Sequence, residues 1–234
     1  MINIYNKNIT LKGTFIIFFI SGAALLCGSA INKENMNNNK LAAQLKEGGY
    51  DGLFLSGSRD FADSIWQLEK NHRALLEIVA GARYDDYVRL LASEILFLKK
   101  KNFPPADMQD TLAYIYSNAL FITATPSSNS GLYGNLWGYM YNGTQYGNAN
   151  HDVLGSHLIQ IGKKAVPYLS KLLDDTGLIF YEGSQEATKG NSYKYRVKDA
   201  AAYYIGEILG IPVQFHENFI DRDNEIDMLL KKIK

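Results

Sequence analysis

A mainly all-α domain is the fold class that this sequence predicts, on three observations. Apolar residues recur at spacings of three and four along several stretches, the period of a helix with one buried side. Proline and glycine punctuate the chain where those stretches stop, at Gly81, Pro104-Pro105, Gly177 and Gly210. Four of the helical stretches form two look-alike pairs.

In chain order, Gly48, Gly49 and Gly52 read as a flexible lead-in. A helical run from about Ser58 to His72 carries Phe61, Ile65 and Leu68 at helical spacing. A short run from Arg73 to Val79 stops at Gly81. Tyr84 to Lys101 reads as a long amphipathic helix with Val88, Leu91, Ala92, Ile95, Leu96 and Leu98 along one broad side. Its three closing lysines, Lys99 to Lys101, suit the negative end of the helix dipole. Asp107 to Phe121 places Leu112, Ile115, Tyr116, Ala119 and Leu120 on one side. Residues 123–150, rich in Ser, Asn, Gly and Tyr, have no helical period and read as a long surface loop. Helices resume at Asp152 to Ile161 and at Ala165 to Leu173, where Pro167 falls in a first turn that does not need its N–H. A second irregular insert, Thr176 to Lys194, holds the apolar, strand-like patch Leu178-Ile179-Phe180-Tyr181. Tyr195 to Leu209 is the clearest helix, with Val197, Ala201, Tyr204, Ile205 and Ile208, then Gly210 as a cap and Pro212 as a stop. A last helix spans about Arg222 to Ile233.

The paired stretches share a pattern. Leu75-Leu76-x-Ile78-Val79 leads to Val88-Arg89-x-x-Ala92-x-x-x-Leu96. Val166-Pro167-x-Leu169-x-x-Leu172-Leu173 leads to Val197-Lys198-x-x-Ala201-x-x-x-Ile205. An apolar helix is followed each time by one reading apolar, basic, x, x, Ala. The small alanine allows close approach of the two helix axes. Over residues 73–98 and 164–209 this resembles HEAT-like repeats, including the proline in the first helix and the Val-Lys-Asp-Ala-Ala run of the second. The resemblance implies an α-α superhelix of paired helices. The long inserts at 123–150 and 176–194 depart from that pattern, as does the presence of only two recognisable units where about three are needed for a continuous core.

The amino-terminal residues carry Lys7 and Lys12 and no acid, then an apolar run from Phe15 to Leu26, then Cys27-Gly28-Ser29-Ala30. A basic start, a short apolar stretch and a small-residue exit make the layout of a secretory signal. The run of about a dozen residues is short of the roughly 20 that span a bilayer. Cys27, the single cysteine, excludes an intramolecular disulfide. Its position resembles a bacterial lipoprotein signal, which implies lipidation of Cys27; Leu25-Leu26 depart from the small residue that such signals favour before the cysteine. Cleavage after Ala30 and an uncleaved anchor stay open. The division expected is a signal over 1–30, a polar tether over 31–50 with five asparagines (Asn32, Asn35, Asn37, Asn38, Asn39), and one HEAT-like domain over 51–234. The expected location is the periplasm or cell surface, with a lipid or anchor holding the chain to the membrane. Removing residues 1–30 leaves a net charge of −2, which does not favour a nucleic-acid partner.

Chemistry-bearing motifs are weak throughout. His151 and His157 are six residues apart, about 120° from sharing a helix face, unlike the paired histidines of HExxH zinc sites. One cysteine excludes cysteine-rich zinc frameworks, so neither a metal nor a cofactor is expected. Ser56-Gly57-Ser58 and Gly155-Ser156-His157 are not nucleophile elbows. Gly131, Gly134 and Gly138 do not form a dinucleotide fingerprint. Asp174-Asp175 read as solvated at a helix end, and nothing pairs Glu182 or Glu186 as catalytic carboxylates.

The most unusual segment sets Tyr133, Trp137, Tyr139, Tyr141 and Tyr146 among Gly134, Gly138, Gly143 and Gly147, next to His151. Glycine lets the backbone bend, while Tyr and Trp give large contact area with few rotors to freeze, the mixture that recognition loops use. The opposite outcome is that these aromatics fold back between helix pairs. The second insert adds Tyr181, Glu182, Tyr193, Tyr195 and Arg196. Arg196 either pairs locally with Asp199 or anchors a partner's carboxylate. Insertions in repeat proteins tend to lie on one face, so the two inserts are expected to meet. The expectation is a non-enzymatic interaction protein, of scaffold or immunity type, binding a protein or glycan in the envelope through these inserts. The alternative is an envelope hydrolase using Glu182, His151 or tyrosines on the same face.

Overall fold

The structure is a computed structural model; it describes residues 36–55, 59–124, 131–140, 153–183 and 185–233. The chain divides into two compact units, Met1–Lys40 and Leu41–Lys234. Of the first, only 36–40 are described, and they are helical. Cys27 and the expected signal lie outside the described residues. No helix among those described is long and apolar enough to cross a membrane.

The second unit is all-α. It opens with helical turns over 41–50 and a wider π-helical turn over Asp51–Leu55. The polar tether was expected to reach residue 50, but Leu41, Leu45, Tyr50 and Leu53 are buried to 2% exposure or less. The apolar residues scattered among polar ones fall on one side of a helix, a spacing that the asparagine-rich stretch before them obscures.

The two runs expected over Ser58–His72 and Arg73–Val79 are the helices α1 (Arg59–Gln67) and α2 (Glu69–Ala80), with the break at Leu68 instead of after His72. Two side chains make the break stable. Asn71 Nδ2 donates to the Ile65 carbonyl at 2.9 Å, and His72 Nε2 lies 2.7 Å from the Trp66 carbonyl. Carbonyls that a continuing helix would have bonded are thereby satisfied, and the His72 ring stacks on Trp66 at 3.8 Å. Helix α3 (Asp86–Lys99) starts where Asp85 accepts from the Val88 N–H at 2.8 Å. Helix α4 is Gln109–Thr123, α5 is Val153–Ile161, and a 3₁₀ turn over Gly162–Ala165 leads into the short α6 (Val166–Ser170). Helix α7 (Gln185–Tyr193) lies inside the insert expected to be irregular. Thr188, Gly190, Asn191 and Ser192 are weak helix formers, so tertiary contacts rather than propensity hold it. Helix α8 is Val197–Leu209, and α9, Phe219–Ile233, starts three residues before its expected position because Asn218 accepts from the Asp221 N–H at 2.9 Å.

Both look-alike pairs pack together, α2 on α3 and α6 on α8. Ala92 and Ala201 are fully buried, as the close approach requires. Helix α8 is buried from Val197 to Gly206 with the exception of Lys198, and it touches α4, α5, α6 and α9. A helix apolar almost all round is a central one. Gly210 ends it at φ 69°, the left-handed region that favours glycine, and the Ile211 N–H returns to the Gly206 carbonyl at 2.8 Å.

A buried ionic network ties α8 to α9. The Asp199 carboxylate, fully enclosed, accepts from the Arg196 backbone N–H and from both the Arg196 and Arg222 guanidinium groups, the last at 2.7 Å. Arg196 continues to Asp223, which also pairs with Lys198. The Phe219 ring stands between the two arginines, 4.8 Å from one and 4.9 Å from the other.

Candidate functional site

The two inserts clasp each other. Residues 131–140 bend through a 3₁₀ turn at Gly134–Trp137, and 178–182 lie extended beside them. The Asn135 side chain donates to the Glu182 carbonyl at 2.9 Å and accepts from the Glu182 N–H at 2.8 Å, a reciprocal amide pair. The Gly134 N–H donates to the Phe180 carbonyl at 2.7 Å, and the Tyr181 hydroxyl donates to the Gly138 carbonyl at 3.0 Å. On its other side the extended segment pairs with the start of α8, Ile179 N–H to Tyr195 carbonyl at 2.8 Å. From α7, Asn191 exchanges two hydrogen bonds with the Tyr181 backbone.

Extension alternates the side chains. Ile179 and Tyr181 point inward at 2% and 3% exposure, while Leu178 and Phe180 point outward at 36% and 56%. Of the residues expected to recognise a partner, four are structural instead. Trp137 is buried, donates from Nε1 to the Thr123 hydroxyl at 2.9 Å, and holds Tyr204, whose hydroxyl donates to the Trp137 carbonyl. Tyr181 and Tyr195 are buried, Tyr181 stacking on Tyr139 at 4.9 Å. Arg196 is 6% exposed and committed to Asp199 and Asp223. The reason is the apolar demand of the helix stack, since large aromatics bury more surface than any other side chain. Tyr133 and Tyr139 are half-buried and Glu182 is exposed. The Tyr133 hydroxyl has its pKa raised chiefly by the nearby Glu182 carboxylate, so the two share one patch. Tyr141, Tyr146 and His151 lie outside the described residues. Phe180, the most exposed aromatic among the described residues of the clasp, was legible only as part of a strand-like patch, with no sign of which side faced out.

An open cavity of about 610 Å³ lies elsewhere on the second unit, between the start of α3, α4 and α6. Tyr84, Asp86, Arg89, Asp110, Tyr114 and Tyr168 line it. Asp86 is its hub, accepting from Arg89, from the Tyr114 hydroxyl and from Asn118, each at 2.8 Å. Tyr168 donates its hydroxyl to Asp110 at 3.1 Å and meets Tyr114 edge to face at 5.9 Å. Both hydroxyls are held protonated by the carboxylates that accept from them, which raises their pKa values. The sequence signal was the i, i+3 pair Asp86–Arg89; the other partners come from distant segments.

A third constellation is enclosed. Glu94 on α3 is 1% exposed, and its Oε1 accepts from the Tyr116 hydroxyl and lies 2.8 Å from His157 Nδ1. Burial, the Glu94 charge and the hydrogen bond to it drive the Tyr116 pKa well up. The His157 ring stacks on Phe97 at 4.0 Å. Glu94 Oε2 is buried with no hydrogen-bond partner among the described residues. No group of three or more His, Cys, Asp or Glu among the described residues is arranged to hold a metal ion. No family model, no curated protein and no solved structure matches the chain.

Proposed function

We propose that this is an exported, membrane-tethered interaction protein, a HEAT-like helical scaffold that binds a partner in the envelope through the outer face of its clasped inserts. The partner class is protein or glycan, and the apolar pair Leu178 and Phe180 beside Tyr133 and Glu182 favours a protein. The observation that carries this reading is Phe180, 56% exposed at the centre of a segment otherwise pinned by hydrogen bonds on both sides. A rigid, exposed aromatic loses little entropy on docking, the property of an interface hot spot. The test replaces Phe180 with a photo-crosslinking residue and compares the native chain with a Phe180→Ala, Tyr133→Ala double variant in pull-downs from envelope extracts. A partner crosslinked at 180 and lost by the double variant, with thermal unfolding unchanged, supports the reading. Equal recovery by both proteins sinks it.

The enclosed Glu94–His157 contact favours a second reading, an envelope hydrolase, because a carboxylate and an imidazole in hydrogen-bond reach are the parts of general acid–base catalysis. If that reading holds, Glu94→Gln abolishes turnover of an envelope substrate while leaving partner capture intact.

A further inference from the structure

We infer that the cavity between α3, α4 and α6 is a binding site for a neutral saccharide unit, separate from the clasped inserts. Three features lead there. First, two of the three acids in the lining, Asp85, Asp86 and Asp110, have a cationic partner. Asp86 is paired with Arg89, and Asp85 with Lys46 at 2.8 Å, which leaves Asp110 as the acid without a cationic partner among the described residues. A trap for a basic peptide or a metal ion would leave several carboxylates unmatched.

Second, the free hydrogen-bonding capacity is of both kinds. Arg89 is only 6% exposed, yet it lines the cavity. It spends Nε on the Val79 carbonyl at 3.0 Å and Nη1 on Asp86, so its Nη2 is left without a hydrogen-bond partner among the described residues. Asp110 uses one carboxylate oxygen for Tyr168, and the other has no hydrogen-bond partner among the described residues. The Thr111 hydroxyl beside it can give or take a hydrogen bond. A ligand that satisfies a buried guanidinium donor, a carboxylate acceptor and a hydroxyl within one cavity must itself carry neighbouring groups that both donate and accept. Vicinal hydroxyls do this. Inorganic phosphate at neutral pH offers mainly acceptors, which cannot serve the Asp110 carboxylate, and it is repelled by that charge.

Third, the walls include aromatic surface. Tyr114 is 41% exposed and Tyr168 half-buried, and each ring is held by a hydroxyl bond to a carboxylate, Asp86 or Asp110. The C–H face of a sugar ring packs on such a surface while its edge hydroxyls reach the polar groups, the usual division between apolar walls and a few placed polar atoms in a ligand site. The volume of about 610 Å³ accommodates one or two sugar rings.

The test is saturation-transfer NMR on the full chain with glucose, galactose, mannose, N-acetylglucosamine, maltose and cellobiose, with a tetralysine peptide and inorganic phosphate as competing probes. At least one saccharide is expected to bind saturably, with a dissociation constant of about 1 mM or tighter. Tyr168→Ala and Asp110→Ala should each weaken it about tenfold or more, while Asp110→Asn, which keeps an acceptor oxygen, should stay within about threefold. Thr111→Val is the companion variant if Tyr168→Ala unfolds at lower temperature than the native chain, and should also weaken binding. The inference is overturned if no saccharide binds, if only tetralysine or phosphate does, or if a saccharide binds the native chain and the alanine variants alike.

Discussion

At Tyr181 a buried ring lies against the backbone of two glycines: a Cβ on Gly134 would stand 2.8 Å from the ring and one on Gly190 2.9 Å. The ring cannot retreat, since its hydroxyl is bonded to Gly138 and its face to Tyr139. Gly134→Ala is therefore expected to cost about 1–3 kcal/mol by overpacking, read as a lower denaturation midpoint at unchanged slope. Trp137→Ala should cost more, about 3–5 kcal/mol, since it empties a fully buried site and removes the hydrogen bond to the Thr123 hydroxyl. Phe180→Ala, on an exposed ring of the same clasp, should stay within about 0.5 kcal/mol. The sequence displayed all these aromatics alike. Which of them turned inward depended on partners 14 to 67 residues away, Thr123 and Tyr204 for Trp137, and no local spacing encodes that.

Among the elements, the α8–α9 junction rests on one enclosed carboxylate and two guanidinium groups. Arg222→Met leaves Asp199 buried with half its charge partners, and the expected loss is about 3–5 kcal/mol in chemical denaturation. Acid sensitivity follows from Asp223. Partial burial raises its pKa, but hydrogen bonds from Arg196 and Lys198 outweigh that and bring it below 3.8. A carboxyl whose native pKa is depressed adds stability that is complete above its unfolded pKa and is lost as pH falls through the native one. Unfolding free energy should thus fall more steeply below pH 3.8 in the native chain than in Asp223→Asn, and equal slopes would exclude Asp223 as the source. The helices themselves were largely legible, because α3, α4 and α8 are long, rich in apolar residues and bounded by Gly81, Pro104-Pro105 and Gly210. The Asp199 side of this junction was visible as an i, i+3 pair, whereas Arg222 was not, since a buried arginine looks like a surface one in sequence. The break between α1 and α2 was expected after His72 and falls at Leu68 for a related reason: Asn71 and His72 end one helix from inside the next.

For the whole molecule, the position of residues 41–50 decides where the folded unit begins. A chain starting at Leu41 should unfold cooperatively, while one starting at Asp51 loses Leu41, Leu45 and Tyr50 from the core and should be destabilised by more than a single Leu→Ala change, about 2–5 kcal/mol. Calorimetry of the two chains distinguishes them. The sequence pointed to the all-α class, both helix pairs and the meeting of the inserts. It was silent on the α3–α4–α6 cavity, whose lining comes from three segments spread over residues 82 to 168. The reciprocal amide pair between Asn135 and Glu182, with Tyr181 gripped between glycines of different segments, also bears on the history of the chain. Neither insert can drift alone. A relative that acquires one insert by recombination without the other inherits half a joint, so lineages that diversify their targets should exchange both segments together, or confine variation to outward positions such as 178 and 180.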